Sequence, residues 1–115
     1  MFNKFTIAGL LVVVFVLLFI YFRTDILQTA NQIFLVKSQA KNLCVKLCQK
    51  KLEQEIDLSQ GPCLANSIKP GWVCDIAHDP RQAVDEKLAN QCSAYGSTAE
   101  HLVEVTANCE IIRAN

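Results

Sequence analysis

The sequence predicts an α+β fold. A long N-terminal helix, first membrane-spanning and then amphipathic, is expected to be packed by a small disulfide-stapled C-terminal domain with short antiparallel strands. Three observations lead to this prediction: residues Phe5 to Phe22 contain no charged side chain, residues 10–60 contain neither glycine nor proline, and all six cysteines follow the uncharged stretch. Glycine and proline are the strongest helix breakers, so their absence favours one continuous helix.

Residues 5–22 have the length and composition of a transmembrane helix. At about 1.5 Å per residue, this stretch covers about 27 Å, close to the ~30 Å hydrocarbon core of a bilayer. It is longer than the ~7 to 15 residue apolar core of a cleavable signal peptide, and the bulky or charged Tyr21, Phe22 and Arg23 form no A-x-A-like cleavage site. We therefore expect residues 1–4 to be a short cytoplasmic N-terminus and residues 5–22 to remain as a single span.

Residues 23–58 are predicted to extend the same helix as an amphipathic segment. Ile26, Ile33, Ala40 and Leu47 recur every seven residues, which indicates one apolar face. The helix is expected to end near Leu58, before the breaker pair at residues 61–62. The apolar face needs a cover, which either the rest of the chain or neighbouring copies must supply.

Residues 59–115 are predicted to form a small domain of strands and loops. The apolar run Trp72–Ile76 indicates a strand, with Trp72 as a core anchor. HLVEVT at 101–106 and CEII at 109–112 are expected to pair as a hairpin, and residues 84–90 to hold a helical turn.

The cysteines predict a disulfide framework, and therefore a domain outside the cell. Cys44 and Cys48 lie four residues apart on one helix face, with Cβ atoms about 5 to 6 Å apart, whereas a disulfide prefers ~3.8 Å. They should therefore bond to the C-terminal region and not to each other, each bridge contributing about 2 to 4 kcal/mol. The remaining pairings stay open among Cys63, Cys74, Cys92 and Cys109.

Charge and motifs exclude several function classes. Eleven basic residues balance eleven acidic residues, which argues against nucleic acid as the main partner. No nucleophile elbow or phosphate-binding glycine loop is present, so we expect no enzyme, no catalytic residues and no cofactor.

Two metal alternatives remain open at this level. Cys44 and Cys48 together with His78 or His101 could ligate zinc, although paired C-x-x-C knuckles are absent. Separately, the polar cluster of Asp75, His78 and Asp79 could bind a divalent ion or hold a proton-transfer site. Turn capping and surface hydrogen bonds before Pro80 are the more ordinary interpretation of that cluster.

The N-terminal motif resembles that of type IV pilins and pseudopilins. Phe5-Thr6-Ile7 followed by LLVVV at 10–14 is similar to the family's FTLIELLVVV-type mature N-terminus. In this register Phe5 is the first mature residue. Lys4 stands where the family usually has glycine before the cut, and Gly9 stands where it usually has glutamate. The C-terminal segments GWVCDIAHDP and HLVEVTANC are faintly similar to small archaeal surface proteins.

The resemblance implies a structural subunit, major or minor, of an extracellular filament, with further copies or other pilin subunits and the membrane as partners. It also implies that the apolar helix packs in the filament or membrane through nine side chains: Phe5, Ile7, Leu10, Leu11, Val14, Phe15, Leu18, Phe19 and Phe22. The alternative is a single-pass membrane protein whose extracytoplasmic domain binds a partner.

Overall fold

The computed structural model describes residues 3–115, apart from the side chain of Phe5. Its secondary structure is one long helix, α1, followed by four strands and a short 3-10 helix, which confirms the α+β class. In chain order these elements are α1 (Lys4–Glu53), β1 (Cys63–Lys69), β2 (Trp72–Ile76), the 3-10 helix (Ala83–Glu86), β3 (His101–Val105) and β4 (Ile111–Ala114). Met1 and Phe2, half of the predicted cytoplasmic N-terminus, lie outside the described residues.

The chain divides into two compact units. The first ends at Leu35, and the second comprises Val36–Asn115. The first unit is the apolar part of α1: one 18-residue window has a mean hydropathy of 2.5, and none of it is buried. The predicted helix long and apolar enough to cross a membrane is therefore present near the N-terminus.

Helix α1 ends at Glu53 and not near Leu58 as predicted. The chain leaves the helix through Glu55, whose φ of 57° lies in the left-handed region. The amide of Ile56 then donates to the carbonyl of Lys51 (3.1 Å), which is the 6→1 hydrogen bond of a Schellman motif. A non-glycine residue thus provides the left-handed C-terminal cap, which is why counting glycines and prolines placed the helix end too late.

The four strands form one sheet in the order β1-β2-β3-β4. β1 pairs antiparallel with β2, and β3 pairs antiparallel with β4, so the predicted hairpin at the C-terminus is confirmed. The central pair, β2 and β3, is parallel. A parallel connection needs a long crossover, and residues 77–100, which include the 3-10 helix, provide it. Strand β1 was not anticipated from the sequence.

The two faces of the sheet carry different side chains because strand residues alternate in direction. Trp72 belongs to the core cluster that contains Ala40, Cys44 and Cys48 of α1, whereas Val73 belongs to a second cluster formed with the crossover. Trp72 is 5% exposed, so the expectation that it anchors the core agrees with the structure. The helix covers one face of the sheet, and the crossover covers the other.

The buried stripe of α1 coincides with only part of the predicted apolar face, which includes Ala40 and Cys44. Ala40, Cys44 and Cys48, spaced by four residues, are fully buried, whereas Ile26 and Ile33 are each 64% exposed. Only the part of α1 in the second unit has a sheet to cover it. The apolar side chains nearer the N-terminus remain exposed.

Candidate functional site

All six cysteines form disulfides, and both helix cysteines bond to the C-terminal region as expected. The three pairs are Cys44–Cys74, Cys48–Cys109 and Cys63–Cys92, with Cα–Cα distances of 5.4, 5.6 and 4.9 Å. The first two join α1 to β2 and to the turn before β4, and the third joins β1 to the crossover. Because Cys44 and Cys48 are oxidised, they offer no thiolates, so the zinc alternative at these residues is wrong for this structure. His101 instead stacks on Trp72, with ring centroids 4.5 Å apart.

The predicted packing residues of α1 are exposed in the single chain. The eight with described side chains range from 47% exposed at Val14 to 74% at Phe15. They are Ile7, Leu10, Leu11, Val14, Phe15, Leu18, Phe19 and Phe22; the side chain of Phe5 lies outside the described residues. An apolar surface of this extent requires lipid or other apolar side chains to cover it.

Part of this surface is organised into one groove. Phe15, Leu18, Phe19 and Phe22 line it together. Their spacing of three, four and seven residues places them on the same helix face. Leu17 lies on a different face and is 60% exposed. Three of the four side chains that line this groove are phenylalanines, so we call it the aromatic groove; other apolar side chains, including Tyr21, are exposed elsewhere on the helix.

A buried ion-pair network lies on the crossover side of the sheet. Glu104, only 2% exposed, accepts hydrogen bonds from Arg81 Nη1 (2.6 Å) and from Arg113 Nε. Burial alone would raise the pKa of Glu104, but the hydrogen bonds from Arg113 and Arg81 outweigh it, so the pKa lies below its usual value. Arg81 also donates to Glu86 (2.7 Å). Glu104 is thus ionised and neutralised by two guanidinium groups.

Asp75 lies beside Glu104 but has a different electrostatic environment. It is 6% exposed, and burial, followed by the negative charge of Glu104, raises its pKa to about 7, although the charge of Arg81 partly opposes the shift. Its Oδ1 is 3.7 Å from the Sγ of Cys92. Asp75 also faces a cavity of about 150 Å³, whose lining includes Arg81, Cys92, Tyr95, Glu104 and Arg113. This carboxyl group is therefore half protonated near neutral pH.

Asp85 connects the 3-10 helix to the rest of the crossover. Its carboxylate accepts hydrogen bonds from the ring Nδ1 of His78 (2.9 Å) and from the amides of His78 (3.2 Å) and Gln82 (2.8 Å). Burial alone would raise the pKa of Asp85, but these hydrogen bonds, that of Gln82 foremost, lower it below its usual value. Gly61, at φ 67°, packs so closely that an added Cβ would lie 2.7 Å from Asp85 Oδ1.

The structure does not bring Asp75, His78 and Asp79 together as a common set of ligands. Asp75 faces the cavity beside Cys92, His78 binds Asp85, and Asp79 is exposed. In the described part of the chain, the one compact group of three His, Cys, Asp or Glu ligand atoms is Cys63, Asp75 and Cys92, within 4.8 Å of one another. Two of its members are joined in a disulfide, so this group cannot coordinate a metal through thiolates in the oxidised protein.

Sequence reasoning missed Glu104, Arg81, Arg113 and Asp85 as members of a site. One signal was available: Glu104 stands between two valines, and Asp75 stands between a cysteine and an isoleucine, each within a short apolar strand. A charged residue inside such a strand, flanked by apolar residues, indicates a buried polar group that needs partners. The identity of the partners depends on the crossover and on β4, which lie far away in the sequence.

Comparisons with protein-family models, with curated proteins and with solved structures found no match. No match supports the resemblance to pilins, which rests on the N-terminal motif and on the architecture. A long apolar N-terminal helix followed by a small sheet domain with disulfides is compatible with a pilin-like fold.

Proposed function

We propose that this chain is a structural subunit of an extracellular type IV pilus-like filament, assembled through the apolar part of α1. The observation that supports the proposal most directly is the apolar window of α1, of which no part is buried within the chain. Burial of apolar surface contributes about 25 cal/mol per Å². Lipid covers the helix before assembly, and equivalent helices of neighbouring copies cover it in the filament.

The second unit supports a location outside the cell. Three disulfides in a domain this small are typical of an oxidising compartment. Two of them attach α1 to the sheet, so the part of the helix that continues into this unit cannot separate from it without breaking a covalent bond. Such an attachment suits a subunit that bears load along a filament.

Assembly of this subunit depends on apolar packing. Gly9 provides no carboxylate near the N-terminus, and the first acidic residue of the chain is Asp25. No acidic side chain is therefore available in the span to bind the amino group of a neighbouring copy. The aromatic groove of Phe15, Leu18, Phe19 and Phe22 is the surface we assign to contact with the next helix.

The alternative is a single-pass membrane protein whose exterior domain binds a partner. The absence of an acidic residue in the span favours this alternative, because a simple anchor needs only hydropathy and length. In this case α1 stays among lipid tails, and the second unit provides the binding surface.

Electron microscopy of surface filaments, combined with mass spectrometry of the purified subunit, tests the proposal. The expected result is filaments that contain this chain, with a mature N-terminus at Phe5. An intact Met1, together with protein that stays monomeric and is extracted only by detergent, would support the anchor instead.

A matched pair of variants separates filament packing from anchoring. Leu18→Ala shortens a side chain of the aromatic groove, whereas Leu17→Ala makes the same change on another face. Both lower the hydropathy equally, so both should leave the chain in the membrane fraction. We expect Leu18→Ala to reduce the filament yield several-fold more than Leu17→Ala, because close packing depends on shape. An unchanged filament yield for both variants would contradict packing through this groove.

A further inference from the structure

The three disulfides differ in their accessibility. Cys63 is partly exposed, whereas the other five cysteines are each at most 7% exposed. Cys63–Cys92 is also the bridge that holds the crossover against β1 and leaves α1 untouched. This disulfide therefore includes the most exposed of the six cysteines, and we expect a dissolved reductant to reach it first.

The sulfur of Cys92 lies among oxygen atoms. The carbonyl oxygens of Cys74 and Ala65 are 3.3 and 3.6 Å from its Sγ, and Asp75 Oδ1 is 3.7 Å away. Carbonyl oxygens accept hydrogen bonds and repel a negative charge. A Cys92 thiolate formed at this position would therefore be unfavourable unless a proton reached it at once. Of these three groups, only the carboxyl group of Asp75 can supply a proton.

We propose that Cys63–Cys92 is a redox-active disulfide that exchanges with dithiol reductants, with Asp75 as the acid that protonates the Cys92 sulfur when the bond opens. This site is independent of the filament role proposed above. It assigns Asp75 a chemical role in addition to its place in the fold.

The exchange takes place in two displacements. A thiolate of the dithiol attacks Cys63 Sγ, forming a mixed disulfide and breaking the Cys63–Cys92 bond, and the electron pair goes to Cys92 Sγ. Asp75 transfers its proton to that sulfur, and solvent in the adjoining cavity returns a proton to Asp75. The second thiol, after losing its proton to solvent, attacks the mixed disulfide and expels the Cys63 thiolate. The dithiol is oxidised by two electrons, and the protein disulfide is reduced by two. In the reverse direction the Asp75 carboxylate accepts the Cys92 proton.

The surroundings of Asp75 keep its proton available. With a pKa raised to about 7, Asp75 is largely protonated below neutral pH. Charged or titratable groups face it from β3, β4, the 3-10 helix and the crossover: Glu104, Arg113, Asp85, Arg81 and Tyr95. Both arginines are bound to Glu104, whose negative charge partly offsets theirs.

Reduction has a local structural consequence. Opening Cys63–Cys92 removes the covalent link between β1 and the crossover, while Cys44–Cys74 and Cys48–Cys109 keep α1 attached to the sheet. Reduction at this site therefore frees the crossover from its covalent link to β1 and leaves α1 attached to the sheet.

The test follows each disulfide separately during reduction of the full chain in detergent by dithiothreitol. Samples are alkylated at successive times and mapped by non-reducing mass spectrometry, and rates are divided by those of a small reference disulfide at the same pH, which corrects for reductant ionisation. We expect Cys63–Cys92 to open first. Its normalised rate should fall by about tenfold per pH unit above pH 7, as Asp75 loses its proton.

Asp75→Asn should slow the opening of Cys63–Cys92 by about tenfold or more at pH 6 and remove the decline above pH 7. Asp79→Asn, which removes an exposed carboxylate nearby, serves as the matched control and should leave both rate and profile unchanged. Three results would overturn the proposal: another disulfide opening first, a normalised rate that is flat or rises with pH in the unmodified protein, or an unchanged rate in a folded Asp75→Asn variant. If that variant does not fold, the pH dependence of the normalised rate in the unmodified chain still tests the proposal.

Discussion

Asp75 and Glu104 are register partners on the parallel strands β2 and β3, but only Glu104 is bound by arginines. The two neighbouring carboxyl groups therefore differ in protonation: Glu104 is ionised, and Asp75 keeps its proton up to about neutral pH. Two ionised carboxylates side by side on a buried sheet face would repel each other, and protonation of one relieves that repulsion.

Asp75 should make the second unit less stable as the pH rises from about 4 to 7. Its pKa of about 7 in the folded chain lies above the ~3.9 of an unfolded aspartate, so the folded state holds more protons in this window, and the free energy of unfolding falls with increasing pH. An asparagine side chain at this position cannot ionise. We expect the stability of Asp75→Asn relative to the unmodified protein to increase between pH 5 and pH 8.

Urea unfolding of the full chain in detergent measures this effect, because Trp72 is the sole tryptophan of the sequence and lies in the core of the second unit. Asp79→Asn is the control and should follow the unmodified protein. A stability difference between Asp75→Asn and the unmodified protein that is constant across this pH range would contradict the prediction.

Gly61→Ala should destabilise the second unit more than Gly71→Ala. Both glycines have positive φ, 67° and 76°, and an alanine at either costs about 1 to 2 kcal/mol in backbone strain. At Gly61 the new Cβ would also lie 2.7 Å from Asp85 Oδ1 and 3.2 Å from the carbonyl oxygen of Ile76, whereas nothing lies within 4 Å at Gly71. We expect a total cost of about 2 to 4 kcal/mol at Gly61. Equal urea midpoints for the two variants would show that the contact with Asp85 is not tight.

Asp85→Asn should lower the stability at neutral pH and should therefore reduce the further loss of stability that occurs in acid. The pKa of Asp85 is lowered in the folded state, so its contribution is complete above the unfolded pKa of ~3.9 and is lost as the pH falls through the folded pKa. The variant should be less stable at pH 6, and the gap should narrow towards pH 2. Thermal unfolding monitored by circular dichroism at both pH values checks this, and a gap that is independent of pH would count against the hydrogen bonds described at Asp85.

Glu55→Gly should stabilise the protein by about 0.5 to 1 kcal/mol. Glu55 occupies the left-handed cap position at the end of α1, which glycine adopts without steric cost. Glu53→Gly is the matched control: Glu53 is the last helical residue, so the same substitution there should destabilise by a similar amount. We expect the urea midpoint to rise for Glu55→Gly and to fall for Glu53→Gly. A loss of stability in both variants would argue against this cap.

Removing either disulfide that attaches the helix should cost about 2 to 5 kcal/mol, with similar losses for the two. The sequence separation is 30 for Cys44–Cys74 and 61 for Cys48–Cys109. Because Cys44–Cys74 already shortens the loop that Cys48–Cys109 closes, the two effective loops are closer in length than these separations suggest. Cys44→Ala/Cys74→Ala and Cys48→Ala/Cys109→Ala are compared by urea unfolding. A loss confined to one pair would mean that the other does not restrict the unfolded chain.

Several features followed from local patterns and were confirmed. The uncharged stretch from Phe5 to Phe22 and the breaker-free run after it predicted the long helix, because helix formation depends on residues close in sequence. The alternation in HLVEV and the apolar residues after it predicted the hairpin of β3 and β4. The four-residue spacing of Cys44 and Cys48 excluded a bond between them by geometry alone.

The sequence by itself determined the helix, its apolar surface and the need for disulfides, because these depend on composition, spacing and short-range sterics. Only the structure showed that α1 ends through a left-handed Glu55, that β2 and β3 run parallel, which cysteines pair, and that Asp75 has a raised pKa beside an ionised Glu104. The strand pairing, the cysteine pairing and the protonation of Asp75 depend on groups brought together from distant parts of the chain or on the burial that results, whereas the Glu55 cap is a local feature that a count of glycines and prolines does not detect. The free energy of a charge or a bond depends on its neighbours in space, and these neighbours cannot be read from the residues next to it in the sequence.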